Sequence, residues 1–176
     1  CEHSFPTRRS SDLAMFIADQ VGQLHKATNF TLALAGAETN VAVGLSRLGY
    51  KVGWASKVGE DPFGKFIMES LEEEGVDTTC VGVDQRYPTG FQLKSKVIMG
   101  DPEVKYYRQG SAASTLAAED IVSSYFTQAR HLHMTGIPLA LSESTKEFAK
   151  CVLDKMKEAK EIGRAHVSTP VTRRIS

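Results

Sequence analysis

The sequence predicts an α/β fold, a mostly parallel sheet covered by helices, and three observations predict it. Strand-like and helix-like segments alternate from Leu34 to Val83. Glycine or proline punctuates the junctions, at Gly36, Gly49, Gly59 to Pro62 and Gly75. The 176 residues, 41% of them hydrophobic, suit one globular core.

The bulk chemistry narrows the function classes. Lys+Arg and Asp+Glu number 21 each, so no basic field recruits nucleic acid or anionic lipid. No apolar run reaches the ~18 residues of a membrane span. Cys1, Cys80 and Cys151 lack CxxC spacing, so reduced thiols in a cytoplasmic protein are expected. No metal-ligand spacing stands out.

Both ends read as foreign. His3–Leu13, HSFPTRRSSDL, resembles the in-frame translation of a common sequencing-adapter oligonucleotide, and Glu161–Thr172, EIGRAHVSTPVT, resembles its partner. Neither end shows a period of 2 or 3.6, and both are rich in Arg, Ser, Thr and Pro. A targeting peptide is the rival reading at the N-terminus, but there is no apolar h-region and Asp12 argues against a transit peptide. Residues 1–13 and 161–176 are therefore set apart as adapter-like, and 14–160 as native sequence, truncated on both sides. The ends hold Arg8, Arg9, Arg164, Arg173 and Arg174 against Glu2, Asp12 and Glu161, so 14–160 carries a slight acidic excess.

Ala14–Phe16 reads as the end of a strand. Val21–Leu34 reads as a half-exposed strand, because Phe30, Leu32 and Leu34 alternate with Thr31 and Ala33. Gly36–Asn40 is a glycine turn, where backbone can approach a ligand. The helix after it puts Val41, Leu45 and Leu48 on one face and stops at Gly49. Asn40 is either a helix cap or an amide that bonds a polyol. Lys51–Val58 is a buried strand, and Pro62 suits the first turn of the next helix. Phe63, Phe66, Ile67 and Leu71 form that helix's core stripe, while Glu72–Glu74 is a solvated face and Gly75 the stop. Val76–Asp77 and Val81–Val83 begin another strand.

Pro88–Arg108 reads as a β-hairpin. Phe91, Leu93, Ser95 and Val97 lie on one side, with Gln92, Lys94 and Lys96 on the other. Gln92, Lys94, Lys96, Tyr106, Tyr107 and Arg108 suit an anionic polyol, since Arg grips a carboxylate with two N–H groups and Tyr bonds hydroxyls. The bland alternative for Lys94 and Lys96 is protection of an exposed edge. Gly110–Asp120 is a small-residue loop and Ile121–Gln128 a helix. His131–Gly136 is a strand running into a turn, its His131 and His133 better read as structural than as a metal pair. Ser142–Lys160 is a helix with Phe148, Val152 and Met156 on its core face.

On these residues Leu34–Gly59 resembles the N-terminal signature of the PfkB, or ribokinase-like, carbohydrate kinases. The matching pieces are Ala35-Gly36, Asn40, Ala42, Gly49 and Gly59. Glu38 departs from the general pattern. Ala37-Glu38 is, however, characteristic of the branch that phosphorylates 2-keto-3-deoxygluconate. So are PTG (Pro88–Gly90), YYR (Tyr106–Arg108), SAAS (Ser111–Ser114) and HLHMTGIP (His131–Pro138).

The resemblance implies a ribokinase-like, Rossmann-type three-layer α/β/α sandwich with a small β lid, here incomplete and N-terminal. The lid pieces would be 21–34 and 88–108. It implies ATP-dependent phosphorylation of a terminal hydroxyl, with Mg²⁺, and pairing of lids into a homodimer. It implies that Gly36 and Ala37 line the sugar pocket through backbone and that Asn40 adds a hydrogen bond. Gln92 would face the sugar from the lid, where relatives often carry Tyr. Tyr106 and Arg108 would engage the sugar acid and its carboxylate. The family's DTxGAGD segment, which holds the general base, and its NxxE segment do not occur in these residues, so no catalytic residue is assigned. The expectation is a sugar-binding part, inactive alone. Its rivals are a piece of a fructokinase or ribokinase, and a non-catalytic sugar-binding or dimerisation module.

Overall fold

The computed structural model describes residues 4–8, 13–136, 141–158 and 164–168. A five-stranded parallel sheet is built from β1 (Ser4–Arg8), β4 (Lys51–Gly59), β5 (Val76–Asp84), β8 (His131–Thr135) and β9 (Arg164–Ser168). Its order is β5-β4-β1-β8-β9. A second sheet, the lid, is built from β2 (Leu13–Val21), β3 (Phe30–Ala35), β6 (Phe91–Lys96) and β7 (Val104–Tyr107), in the order β3-β2-β6-β7.

Helices cover both faces of the parallel sheet. On one side, α1 (Ala37–Arg47) and α2 (Pro62–Glu73) bury Ala42, Ile67 and Leu71 against Val52, Trp54, Val58 and Val76. On the other, α3 (Ser123–Thr127) and α4 (Glu143–Glu158) bury Phe126, Phe148, Val152 and Met156 against Ala55, Leu132 and Met134. Strand β4 serves both cores because alternate side chains leave opposite faces. Three layers follow, as expected.

Several expectations are corrected. Within the ends set apart from fold reasoning, Ser4–Arg8 pairs with both β4 and β8, and Arg164–Ser168 with β8. β1 is the central strand of the sheet, hydrogen-bonded on both sides, and β9 an edge strand; both are held by backbone N–H and C=O groups, so periodicity in the side chains is no precondition. Residues 1–3, 9–12, 161–163 and 169–176 of those ends, and Lys160 of the last helix, lie outside the described residues, as do Ile137 and Pro138 of the HLHMTGIP segment.

The segment 14–34 is not one strand end and one strand. Leu13–Val21 is a full nine-residue strand, a 3-10 turn follows at Leu24–Lys26, and Phe30–Ala35 returns antiparallel. The polar end of β2 is held by cross-strand bonds: Thr31 donates to Asp19 at 2.6 Å and Gln20 to Thr28 at 2.9 Å. Strand β3 belongs to the lid, as the resemblance implies for 21–34, and Leu13–Val21 joins it there as a further lid strand. Leu48 leaves the core face and is 74% exposed, because α1 ends one residue earlier and the chain reverses at Gly49. The helix expected over 121–128 shrinks to Ser123–Thr127, since the β-branched pair Ile121 and Val122 stays extended. The loop 110–120 carries 3-10 turns at Ala112–Thr115 and Ala118–Asp120. Glu72 and Glu74 are not merely solvated: Thr78 donates to Glu72 at 2.6 Å, and Arg47 pairs with Glu74 at 2.5 Å.

Two helix starts agree with the sequence reading. Pro62 opens α2 and Asp61 caps it. Ser142 starts α4 with a reciprocal cap, accepting Thr145 N–H at 3.2 Å while Thr145 Oγ1 accepts Ser142 N–H at 3.1 Å. Cys80 and Cys151 are free thiols. Among the described residues, no helix is long and apolar enough to cross a membrane.

Candidate functional site

The lid has two unlike faces. One is aromatic: Phe16 meets Phe63 of α2 edge-on at 5.3 Å and Phe91 at 5.9 Å, and Phe91 stacks on Tyr107 at 4.7 Å. Neighbouring residues on a strand point oppositely. The other face therefore carries a row one residue out of phase, Ala33, Met15, Gln92 and Tyr106, which are register partners across the four strands. Gln92 is buried at 9% exposure, whereas Tyr106 is 55% exposed. Arg108 follows β7 and lays its guanidinium over the Tyr106 ring at 4.9 Å. Such stacking orients the planar group and leaves its N–H edge free of the ring. Gln92 and Tyr106 are thus cross-strand partners, and Arg108 stacks on Tyr106, with which strand alternation groups it. Lys94 lies two residues along, opposite Val104.

The second group sits at the N-terminus of α1. Gly36 is its cap residue, with φ 149°, a conformation that side chains resist. Ala37 opens the helix and Asn40 N–H donates to Gly36 C=O at 3.0 Å. Asn40 is therefore inside the helix and not at its cap position, and both Ala37 and Asn40 are exposed. The capping alternative for Asn40 is set aside. Glu38, by contrast, is fully buried and accepts hydrogen bonds from the backbone and hydroxyl of Thr135.

Two ties that the sequence reading missed, Asp61 to Thr89 and Thr89 to Gly59, hold the lid entry to the helical body, and a local turn bond at Ser111 follows the lid. Asp61 accepts from Phe63 N–H (3.0 Å), Gly64 N–H (2.8 Å) and Thr89 N–H (2.7 Å). Thr89 Oγ1 accepts Gly59 N–H at 2.8 Å. Ser111 donates to Arg108 C=O from its hydroxyl at 2.8 Å and its N–H at 3.3 Å. The Asp-Pro start at Asp61 was a legible cap signal; its reach to Thr89 was not, because it spans 28 residues. Partial burial pushes the Asp61 carboxyl upward, but the hydrogen bonds from Thr89, Gly64 and Phe63 together outweigh it and hold it below the ordinary aspartate range.

A groove of about 540 Å³ lies beside α2, lined by Val58, Asp61, Lys65, Met68, Glu72 and Val83 among others; none of the six candidate residues lines it.

The family model of the pfkB family carbohydrate kinases matches residues 10–171. The chain belongs to that family. A 2-dehydro-3-deoxygluconokinase of Bacillus subtilis is 52% identical over 148 residues, which are 84% of this chain and 46% of that protein. A PfkB protein of Polaromonas sp. JS666 has a crystal structure that superposes with a TM-score of 0.86 at 40% identity, covering 96% of this chain and 55% of that one. A sugar kinase of Pyrococcus horikoshii, solved in complex with ATP, superposes with a TM-score of 0.81 at 28% identity, covering 97% and 53%. The chain thus spans about half the length of the relatives it matches. The ribokinase-like sandwich with its β lid is the family's fold. PfkB kinases use ATP with Mg²⁺, but among the described residues no three His, Cys, Asp or Glu side chains group as a metal site, His131 and His133 included. No step through the metal or the nucleotide is assigned to these residues.

Proposed function

We propose that this PfkB chain is the sugar-acid-binding part of an ATP-dependent kinase for 2-keto-3-deoxygluconate, a cytoplasmic enzyme. The observation that carries the reading is Arg108 stacked on Tyr106 at the end of the Gln92 row. A guanidinium held by a ring offers two parallel N–H groups to a carboxylate. A neutral sugar would have no use for that charge. Tyr106 and Gln92 bond the polyol hydroxyls, and Gly36, Ala37 and Asn40 form the opposite wall through backbone N–H and the amide side chain. The chain's own work is to bind and orient the sugar acid under the lid. The 52% identity to a 2-dehydro-3-deoxygluconokinase supports this substrate over fructose or ribose.

Calorimetry with 2-keto-3-deoxygluconate, fructose and ribose tests the reading. Binding of the keto-acid alone is expected, together with no ATP-dependent phosphorylation by the 176-residue chain. Equal binding of the neutral sugars would favour a fructokinase or ribokinase parent, and robust turnover would sink the idea of an inactive part. A homodimer through the lid rests on the exposure of its hairpin, with Ile98 83% and Met99 88% exposed. Sedimentation showing a monomer at micromolar concentration would rule it out. We also hold residues 1–13 and 161–176 to be adapter-encoded, which the uninterrupted coding sequence would decide.

A further inference from the structure

A helix cap needs one acceptor, and Asp61 uses one oxygen for it: Oδ1 accepts both Phe63 N–H and Gly64 N–H. Its other oxygen takes no part in the cap. Oδ2 accepts the N–H of Thr89, a residue 4% exposed in the segment that enters lid strand β6. Thr89 returns the link to the end of β4 through Gly59 N–H. The three turns are packed without slack. A Cβ on Gly59 would lie 2.6 Å from both Asp61 Oδ2 and Thr89 N, which is why a glycine stands there.

What happens at Thr89 is passed to the lid. Phe91, two residues on, lies 6.3 Å ring to ring from Phe63, which Asp61 caps directly. Gln92 is the next residue. The far side of the lid is tied in as well, since Ala112 N–H donates to Pro88 C=O at 2.8 Å and Ser111 holds Arg108 C=O. We propose that Asp61 is the positioning residue of the lid: it latches the Pro88–Gly90 hinge to the start of α2 and thereby fixes where Gln92 and Tyr106 stand. Only the last step, the effect on ligand, rests on the sugar-acid reading above.

Two substitutions separate the cap from the latch. Asp61→Asn keeps a carbonyl oxygen for the cap and sets an NH2 against Thr89 N–H. Asp61→Ser keeps one good cap acceptor and removes the second oxygen. Thr89→Ser preserves both the N–H and the hydroxyl and serves as the conservative control. Hydrogen–deuterium exchange on the 176-residue chain is the readout. In both Asp61 variants, amides of β6 and β7 should exchange about tenfold faster or more, the worth of a lost charged hydrogen bond, while those of α2 and α4 stay within about threefold. Thr89→Ser should match the parent. Affinity for 2-keto-3-deoxygluconate should fall in the same two variants. A parent chain that binds no keto-acid would fail the substrate reading and leave the exchange result to decide the latch. Unchanged β6 and β7 exchange in both variants, or acceleration spread evenly over all elements, would overturn it.

Discussion

The buried carboxylate of Glu38 accepts the N–H of Thr135 at 3.1 Å and also its hydroxyl, joining the first turn of α1 to the end of β8 across 97 residues. This link pins the Gly36–Ala37 turn onto the parallel sheet. Glu38→Ala should therefore cost about 1–3 kcal/mol, the range for leaving buried donors unsatisfied, while Glu38→Gln, which keeps an acceptor, should cost clearly less. Urea unfolding of the two variants measures the difference.

Arg108 is expected to act through its shape as well as its charge. Arg108→Ala should weaken keto-acid binding by about tenfold to a hundredfold, the range for a charge-assisted hydrogen bond. Arg108→Lys should recover little of it, because an ammonium neither forks nor stacks as a guanidinium does. Binding of an uncharged analogue should be indifferent to both changes. Titration calorimetry on the three proteins checks this, and intact keto-acid affinity in Arg108→Ala would favour a parent kinase for neutral sugars.

The latch has a pH signature. The folded carboxyl of Asp61 is held below its ordinary value, so its contribution is fully present above the unfolded aspartate value near 3.9 and is lost as pH falls through the lower folded value. Lid amides should lose protection in that acid window, after correction for intrinsic exchange. Asp61→Asn, already unlatched, should lack this step even though other carboxylates such as Asp84 and Glu143 also sit low. Exchange mass spectrometry from pH 6 to about pH 3 separates the two curves.

The core beneath the site should behave as a packed interior. Leu71 is fully buried between α2 and the sheet, in the cluster that includes Trp54 and Ile67. Leu71→Ala should destabilise by about 2–5 kcal/mol through lost transfer energy and a residual cavity. Thermal melts monitored by Trp54 fluorescence would show it as a lowered midpoint, with the lid's exchange pattern otherwise preserved.

Local rules made much of this legible. The helix starts at Gly36 and Pro62, the stops at Gly49 and Gly75 and the hairpin of Phe91–Tyr107 are written in neighbouring residues, so reading along the chain finds them. Strand parity alone placed Gln92 on one face and Phe91 on the other. Parity also put Tyr106 with Arg108, and the structure brings them to 4.9 Å. Membership of strands in sheets was another matter. The resemblance puts Phe30–Ala35 in the lid, but nothing in its own residues names Leu13–Val21 as its antiparallel partner, because pairing partners are chosen by distant backbone. The strands at Ser4–Arg8, in the middle of the parallel sheet, and Arg164–Ser168, at its edge, form through backbone pairing without any side-chain period to announce them.

The amino-acid sequence by itself determined the α/β class, the glycine turn at Gly36–Asn40 and the pairing of charge with aromatics at Tyr106–Arg108, since each depends on spacing of a few residues. Only the tertiary structure decided that Asp61 reaches Thr89 and that Glu38 reaches Thr135. Both bonds close over long stretches of chain. A carboxylate's second oxygen has no local preference until folding brings an N–H to it.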